Sequence, residues 1–213
     1  MSGDRIICGY QPAPLGANPA RWQRGETIQY RIALSQCGGV DRETFRRVFR
    51  QACDSWENVC GIKFQEVESR ERVQVITMTQ QAGGVLADAE LPYWQGRTKP
   101  LAMRYDVAEP WAVGSPVPNN RIGLRIVTEH ELGHILGLDH GGDTLMAPYY
   151  DPRMVIGEWE RRLVEDAYGK PQPKAPQQGE TGFPSNKLLE IVVRDGRLII
   201  QRHPSIQVED MPQ

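Results

Sequence analysis

Three of the four histidines in this 213-residue chain fall within eleven residues, HELGHILGLDH, positions 130 to 140. His130 and His134 are four apart, so on a helix they share a face about one turn apart and can present two imidazoles to one metal ion. Glu131 then points to an adjacent direction. A third ligand requires the helix to stop, and Gly137 suits that role, letting the chain turn back and deliver His140 three residues later. Three neutral imidazoles suit zinc and leave one position for water. The ion lowers the proton affinity of that water, and Glu131 stands where a general base can take its proton and later pass one to a leaving amine. These are the residue types that peptide hydrolysis by zinc requires. The short HExxH pattern recurs by chance in roughly one chain of this size in a few hundred, whereas Gly137 and His140 at fixed offsets reduce that to roughly one in a hundred thousand.

The elements that must hold these residues are legible from periodicity. A helix is expected over about residues 122 to 136, ending before Gly137. Ahead of it, VDRETFRRVFRQACDSWENV carries Phe45, Val48, Phe49, Ala52 and Trp56 at the spacing of a helix with one buried face, and Asp41 is a plausible N-cap. Cys53, one turn after Phe49, is expected to pack in that face. Strands are expected at 27–34, 62–67, 73–78, 85–91 and 101–105, from their β-branched and alternating residues. A third helix, GEWERRLVEDAY (157 to 168), stops at Gly169, and Pro171 forbids its continuation.

This reading divides the chain into an N-terminal segment (1–26), a catalytic body (27–170), a Pro- and Gln-rich linker (171–186) and a β-hairpin tail (187–213). The hairpin follows from LLEIVVRDGRLIIQR, in which Asp195 and Gly196 separate two β-rich runs. An isolated hairpin is marginal in water and leaves strand edges uncovered, so residues 187–202 are expected either to fold back on their own body or to dock on an assembly or a second copy.

Composition excludes several classes. The chain has 25 basic and 27 acidic residues, 24% charged and 39% hydrophobic, and no basic stripe accompanies its aromatic residues, so no nucleic-acid partner is expected. No run approaches the roughly 18 apolar residues of a membrane span, and MSGDRIICGY lacks a secretory pattern, which implies synthesis in the cytoplasm. The four cysteines, Cys8, Cys37, Cys53 and Cys60, are expected as free thiols.

With HExxHxxGxxH on the page, the chain resembles the metzincin zinc peptidases, and within them the matrixins, the family of the matrix metalloproteinases. Met146 in TLMAPYY resembles the methionine turn that supports the metal from below, followed by the family-like Pro148 and Tyr150. WQRGETIQYRI and AYGKP resemble the opening strand and the end of the last helix, so the likeness covers about residues 8 to 171. It implies an α+β zincin fold: a twisted, mostly parallel sheet with an antiparallel edge strand, three helices, and the hairpin tail outside it. It also implies an extended protein or peptide substrate along the edge strand, at Leu86 and Ala87, with Pro148 and Tyr150 among the substrate-binding residues. Ile126 matches a position that lines the main specificity pocket, which implies a hydrophobic residue after the cleaved bond.

The chain also departs from the family pattern. Where the family carries histidines for a second, structural zinc, this sequence has Asp88 and Arg104, which are expected to face each other on neighbouring strands as an ion pair. One catalytic zinc is therefore expected, without structural zinc or calcium. CGYQP lies at about the distance at which family proenzymes carry an inhibitory cysteine, but the flanking residues differ. Cys8 is thus either a latch on the metal or an ordinary packed thiol. The sequence reads as a zinc endopeptidase. The alternative is a structural or adaptor component of a larger assembly, such as a virus particle, built on the same scaffold.

Overall fold

The computed structural model describes residues 7–8, 21–78, 84–92, 99–141 and 143–171, together with the backbone of 189–194 and 197–202. The chain divides into two compact units, Met1–Gln172 and Pro173–Gln213.

The first unit is built on a five-stranded sheet. Alternation in β1 (Thr27–Ile32) buries Ile28, Tyr30 and Ile32, and this strand pairs in parallel with both β4 (Lys63–Glu66) and β5 (Val73–Met78). β5 pairs in parallel with β7 (Leu101–Asp106), and β6 (Ala87–Ala89) runs antiparallel along β7, giving the order β4-β1-β5-β7-β6. The sheet is therefore mostly parallel with an antiparallel edge, as the resemblance implied. A short ladder of β2 (Gln36–Cys37) with β3 (Val40–Asp41) leads into α1 (Arg42–Glu57). Asp41 caps that helix, its carboxylate accepting from Thr44 N at 2.9 Å, a contact that typically contributes about 1 kcal/mol. The apolar stripe of α1, with Cys53 inside it, lies against the sheet: Phe49 meets Tyr30 at 4.7 Å and Phe45 meets Tyr105 at 5.1 Å between ring centroids.

The second helix, α2 (Leu124–Ile135), begins two residues later than periodicity suggests. Ile122 and Gly123 form a short strand, β9, paired in parallel with β8 (Trp111–Ala112), and these backbone bonds compete with the first helical turn. α2 is buried on nearly all sides, so it shows almost no amphipathic pattern. It lies beside α1, which binds it through Trp56 Nε1, donating to Glu129 O at 2.8 Å. α3 (Glu158–Tyr168) closes the unit and stops at Gly169, which has φ +81°. Among the described residues no helix is long and apolar enough to cross a membrane.

The edge strand is shorter than the seven residues expected: only Ala87–Ala89 keep strand pairing. Asp88 and Arg104 are direct partners in the β6/β7 register, and their side chains form an ion pair at 2.5 Å, with Glu90 3.4 Å from the same guanidinium. In the second unit β10 (Leu189–Arg194) and β11 (Arg197–Arg202) pair antiparallel with Arg194 opposite Arg197, the register of a two-residue hairpin loop. The Asp195–Gly196 turn itself, most of the linker and residues 203–213 lie outside the described residues.

Asp88 is buried and depends on Arg104 for its countercharge. Arg104→Ala is expected to destabilise the chain by about 2 kcal/mol in urea unfolding, and the Asp88→Ala/Arg104→Ala double variant by less, because it leaves no uncompensated charge.

Candidate metal centre

The centre depends on how α2 ends. Its last carbonyls would be orphaned in a buried position, and side chains from distant parts of the chain satisfy them: Trp22 Nε1 donates to Ile135 O at 2.7 Å and the Tyr168 hydroxyl to Leu136 O at 2.5 Å. Gly137 then adopts φ +85°, a conformation that costs a side-chain-bearing residue energy, while Leu138 N reaches back to Gly133 O at 2.9 Å. This turn aims His140 back at the helix it has just left.

The two helical histidines are fixed by acceptors that cannot donate. His130 Nδ1 lies 2.7 Å from Leu145 O and His134 Nδ1 2.8 Å from Leu138 O. Each Nδ1 must therefore carry the proton, and each Nε2 is left with its lone pair. Those two Nε2 atoms lie 3.1 Å apart. Facing lone pairs repel at that distance, and a cation bound by both removes the repulsion. The ligand atoms of His130, His134, His140 and Cys8 all lie within 4.8 Å of one another, so that small side-chain shifts bring them to the roughly 3.3–3.8 Å separations that tetrahedral zinc bonds of about 2.0–2.3 Å require. Burial also keeps the rings neutral: it holds His130 well below the ordinary histidine range and takes His134 down to about 3, and His140 is lowered for the same reason. Neutral imidazole is the form that binds metal. The donor set fits zinc.

Glu131 is fully buried beside this cluster. Burial raises its carboxyl well above the ordinary range, and the nearby Asp88 charge adds to the effect, whereas the Cys8 thiol and Arg104 act against it. Its Oε2 accepts from Cys8 Sγ at 3.5 Å, and its Oε1 is buried with no hydrogen-bond partner among the described residues. A carboxylate so placed can accept a proton from water or substrate.

Cys8 reaches the centre across 123 residues of sequence. The preceding residue lies in the cleft: Ala87 N donates to Ile7 O at 3.2 Å, Ile7 N donates to Pro148 O at 3.0 Å, and Cys8 bridges Ala87 in the parallel sense. Cys8 differs from the other thiols. Burial pushes Cys37 up to about 12 and Cys60 up to about 11 and also raises Cys53, and none of the three belongs to a metal-binding cluster among the described residues. All four cysteines are buried, and none of them is in a disulfide.

The floor of the centre is Met146. It is fully buried, and its Sδ would lie 2.4 Å from a Cβ added at Gly133, with Trp56 Cζ2 at 3.2 Å. Gly133 is therefore required by close approach of the methionine to the helix. Glu160 of α3 holds the turn from outside, Oε1 accepting from Met146 N at 3.0 Å and from the Thr144 hydroxyl at 2.5 Å, and Oε2 from Gly157 N at 2.8 Å. Sequence reading missed Gly133, Glu160, Trp22 and Tyr168. Of these only Glu160 left a signal, as a buried-side glutamate three residues into a helix whose Gly157 start has no capping side chain.

The residues singled out for substrate binding divide. Ala87 and Pro148 flank the cleft through main-chain groups that Ile7 now occupies. Leu86 faces elsewhere: its carbonyl accepts from Asp106 N at 3.0 Å and its side chain is fully buried, so it belongs to the sheet and core. Tyr150 is half-buried and its hydroxyl accepts from Gly123 N at 2.8 Å. Ile126, one turn before His130, lines a cavity of about 700 Å³ together with Val113, Val117, Met154 and Val155.

Residues 21–168 match the family model of matrixin. Matrix metalloproteinase-16 of Homo sapiens is 36% identical over 179 residues, which cover 73% of this chain and 28% of that protein. Matrix metalloproteinase-19 of Homo sapiens is 28% identical over 183 residues, covering 78% and 34%. Metalloendoproteinase 1 of Glycine max is 34% identical over 146 residues, covering 62% and 47%. The chain spans about a third or less of the length of these two human relatives and about half of the plant one.

The crowding at Gly133 yields a test of the floor. Gly133→Ala must displace Met146 or Trp56 and is expected to cost about 1–3 kcal/mol of stability in thermal or urea unfolding, despite the higher helix propensity of alanine.

Proposed function

This chain belongs to the matrixin family, and on that premise we propose that it is a zinc-dependent endopeptidase held latent by Cys8. The observation that carries the reading is the pair of Nε2 atoms 3.1 Å apart, each left with a lone pair because its Nδ1 donates to a backbone carbonyl. His130, His134 and His140 would hold one zinc. When bound, zinc supplies Lewis acidity that polarises the scissile carbonyl and lowers the proton affinity of water.

The chain's own residues do the rest. Glu131 accepts the proton of the attacking water and delivers it to the leaving amine; its burial, which favours the neutral form, suits it to hold the proton between the two steps. The Ala87 N–H and the Pro148 carbonyl bind the main chain of an extended substrate, with Leu86 fixing the strand from the core side. The cavity beside Ile126 takes a hydrophobic side chain from the residue after the cleaved bond, and Tyr150 braces its wall. Met146 supports the ligands from below. The Asp88–Arg104 pair stands on the β6/β7 edge, and His130, His134 and His140 with Cys8 form a group of metal-binding side chains that suits one catalytic zinc.

Latency follows from competition. Ile7 and Cys8 take the same main-chain groups and the same face of Glu131 that a substrate would use, and the Cys8 thiol lies within reach of the ligand nitrogens. The purified chain is expected to carry about one zinc by metal analysis. Cys8→Ala is expected to raise cleavage of an unstructured protein, and unchanged activity would remove the latch. In that unlatched background Glu131→Ala is expected to lower kcat by about 10²–10⁴-fold while zinc is retained. A zinc-loaded Cys8→Ala chain that cleaves nothing would support instead a scaffold that joins an assembly through its 189–202 hairpin.

A further inference from the structure

Glu129 stands immediately before the first metal-binding histidine and is nearly as buried as its neighbours, at 6% exposure, yet the proton chemistry does not use it. Its Oε1 accepts from Ser55 Oγ of α1 at 2.7 Å and from Arg125 Nε, one turn earlier on α2, at 2.9 Å. Arg125 Nη2 closes the ring by donating to Ser55 Oγ at 3.1 Å. Three polar side chains thus form a closed hydrogen-bonded cluster between the helix that carries the metal ligands and the helix packed on it.

We infer that Glu129 is a positioning residue: the Ser55–Glu129–Arg125 cluster fixes the roll of α2 about its axis and so sets where His130 and His134 present their nitrogens. The inference rests on the zinc-peptidase reading. Its basis is leverage. Side-chain tips lie roughly 5–6 Å from a helix axis, so a roll of about 10° moves an imidazole nitrogen by about 1 Å. Metal–ligand distances tolerate only about 0.2 Å. Apolar burial is non-directional whereas hydrogen bonds are directional, and the Trp56 bond to the Glu129 carbonyl acts close to the axis, where it resists sliding more than turning. The Glu129 carboxylate acts at the tip of its side chain. On another face of α2, the Tyr105 hydroxyl donates to Thr128 Oγ1 at 3.1 Å, so the helix is held against both α1 and the sheet.

Glutamine at 129 keeps an oxygen that can accept from both Ser55 and Arg125, whereas alanine keeps none. The full zinc-loaded chain is the protein to test, with zinc release to a chelator followed well below the melting temperature and turnover read in the Cys8→Ala background. Glu129→Ala and Ser55→Ala are expected to release zinc about tenfold faster and to lower kcat more than they change KM, and Glu129→Gln to restore both. The Ser55→Ala/Glu129→Ala double variant should be no worse than Glu129→Ala alone, since both remove the same bond. If the alanine variants lose only melting temperature, with zinc release and kcat as in the parent, or if Glu129→Gln fails as Glu129→Ala does, the inference is overturned. Should Glu129→Ala not fold, Ser55→Ala decides the matter, because it retains the charged pair on α2. A parent chain that binds no zinc overturns the peptidase reading and this inference together; a parent that binds and cleaves, with indifferent variants, overturns the inference alone.

Discussion

Two backbone carbonyls, Leu145 O and Leu138 O, decide the state of the centre. By accepting from His130 and His134 they fix both tautomers and turn both lone pairs toward one point. Everything nearby serves to keep those carbonyls in place. Leu138 follows the Gly137 turn, which exists because Trp22 and Tyr168 take over the helix-end carbonyls. Leu145 precedes Met146, whose turn is held by a buried glutamate from α3. A pair of lone pairs forced together in a dry site is costly without a cation, so the fold invests in a geometry that metal binding repays.

The cleft shows the same economy of groups. The edge strand offers few unpaired main-chain groups, since only three residues keep strand pairing, and one of these, the Ala87 N–H, is taken by Ile7. The opposite wall is taken by the same residue through Pro148 O. In the proposed reading, Ile7 and Cys8, which claim the edge strand, the facing wall and Glu131 at once, exclude a peptide from the cleft. Each of these bonds is individually modest, about 0.5–1.5 kcal/mol.

Away from the metal, the sheet edge carries charge where a strand edge would otherwise invite pairing. Asp88, Arg104 and Glu90 form a cross-strand group on β6 and β7, the last two strands of the sheet. Charge on an edge discourages non-specific pairing, and the planar guanidinium fork presents donors to both carboxylates. The adjacent Ala87 N–H is the edge group with which Ile7 pairs.

The sequence by itself determined what is local. The spacing of His130, Glu131 and His134, the Gly137 break, the Asp41 cap and the apolar stripe of α1 follow from the helical period of 3.6 and its end signals, which are fixed by backbone sterics and therefore readable in one dimension, whereas the partnership of Asp88 with Arg104 was legible only through the family resemblance. Element ends were less legible, as at Ile122–Gly123, where pairing with Trp111–Ala112 displaced the first helical turn. Only the tertiary structure decided that Cys8 lies against Glu131, that Gly133 must lack a side chain to admit Met146, and that Ser55, Trp22 and Glu160 support one helix and one turn from three different directions. Those contacts join residues far apart in the chain, and no periodicity carries them. They exist because a buried carbonyl or carboxylate must find a partner wherever the fold brings one, and which partner that is depends on the packing of the whole unit.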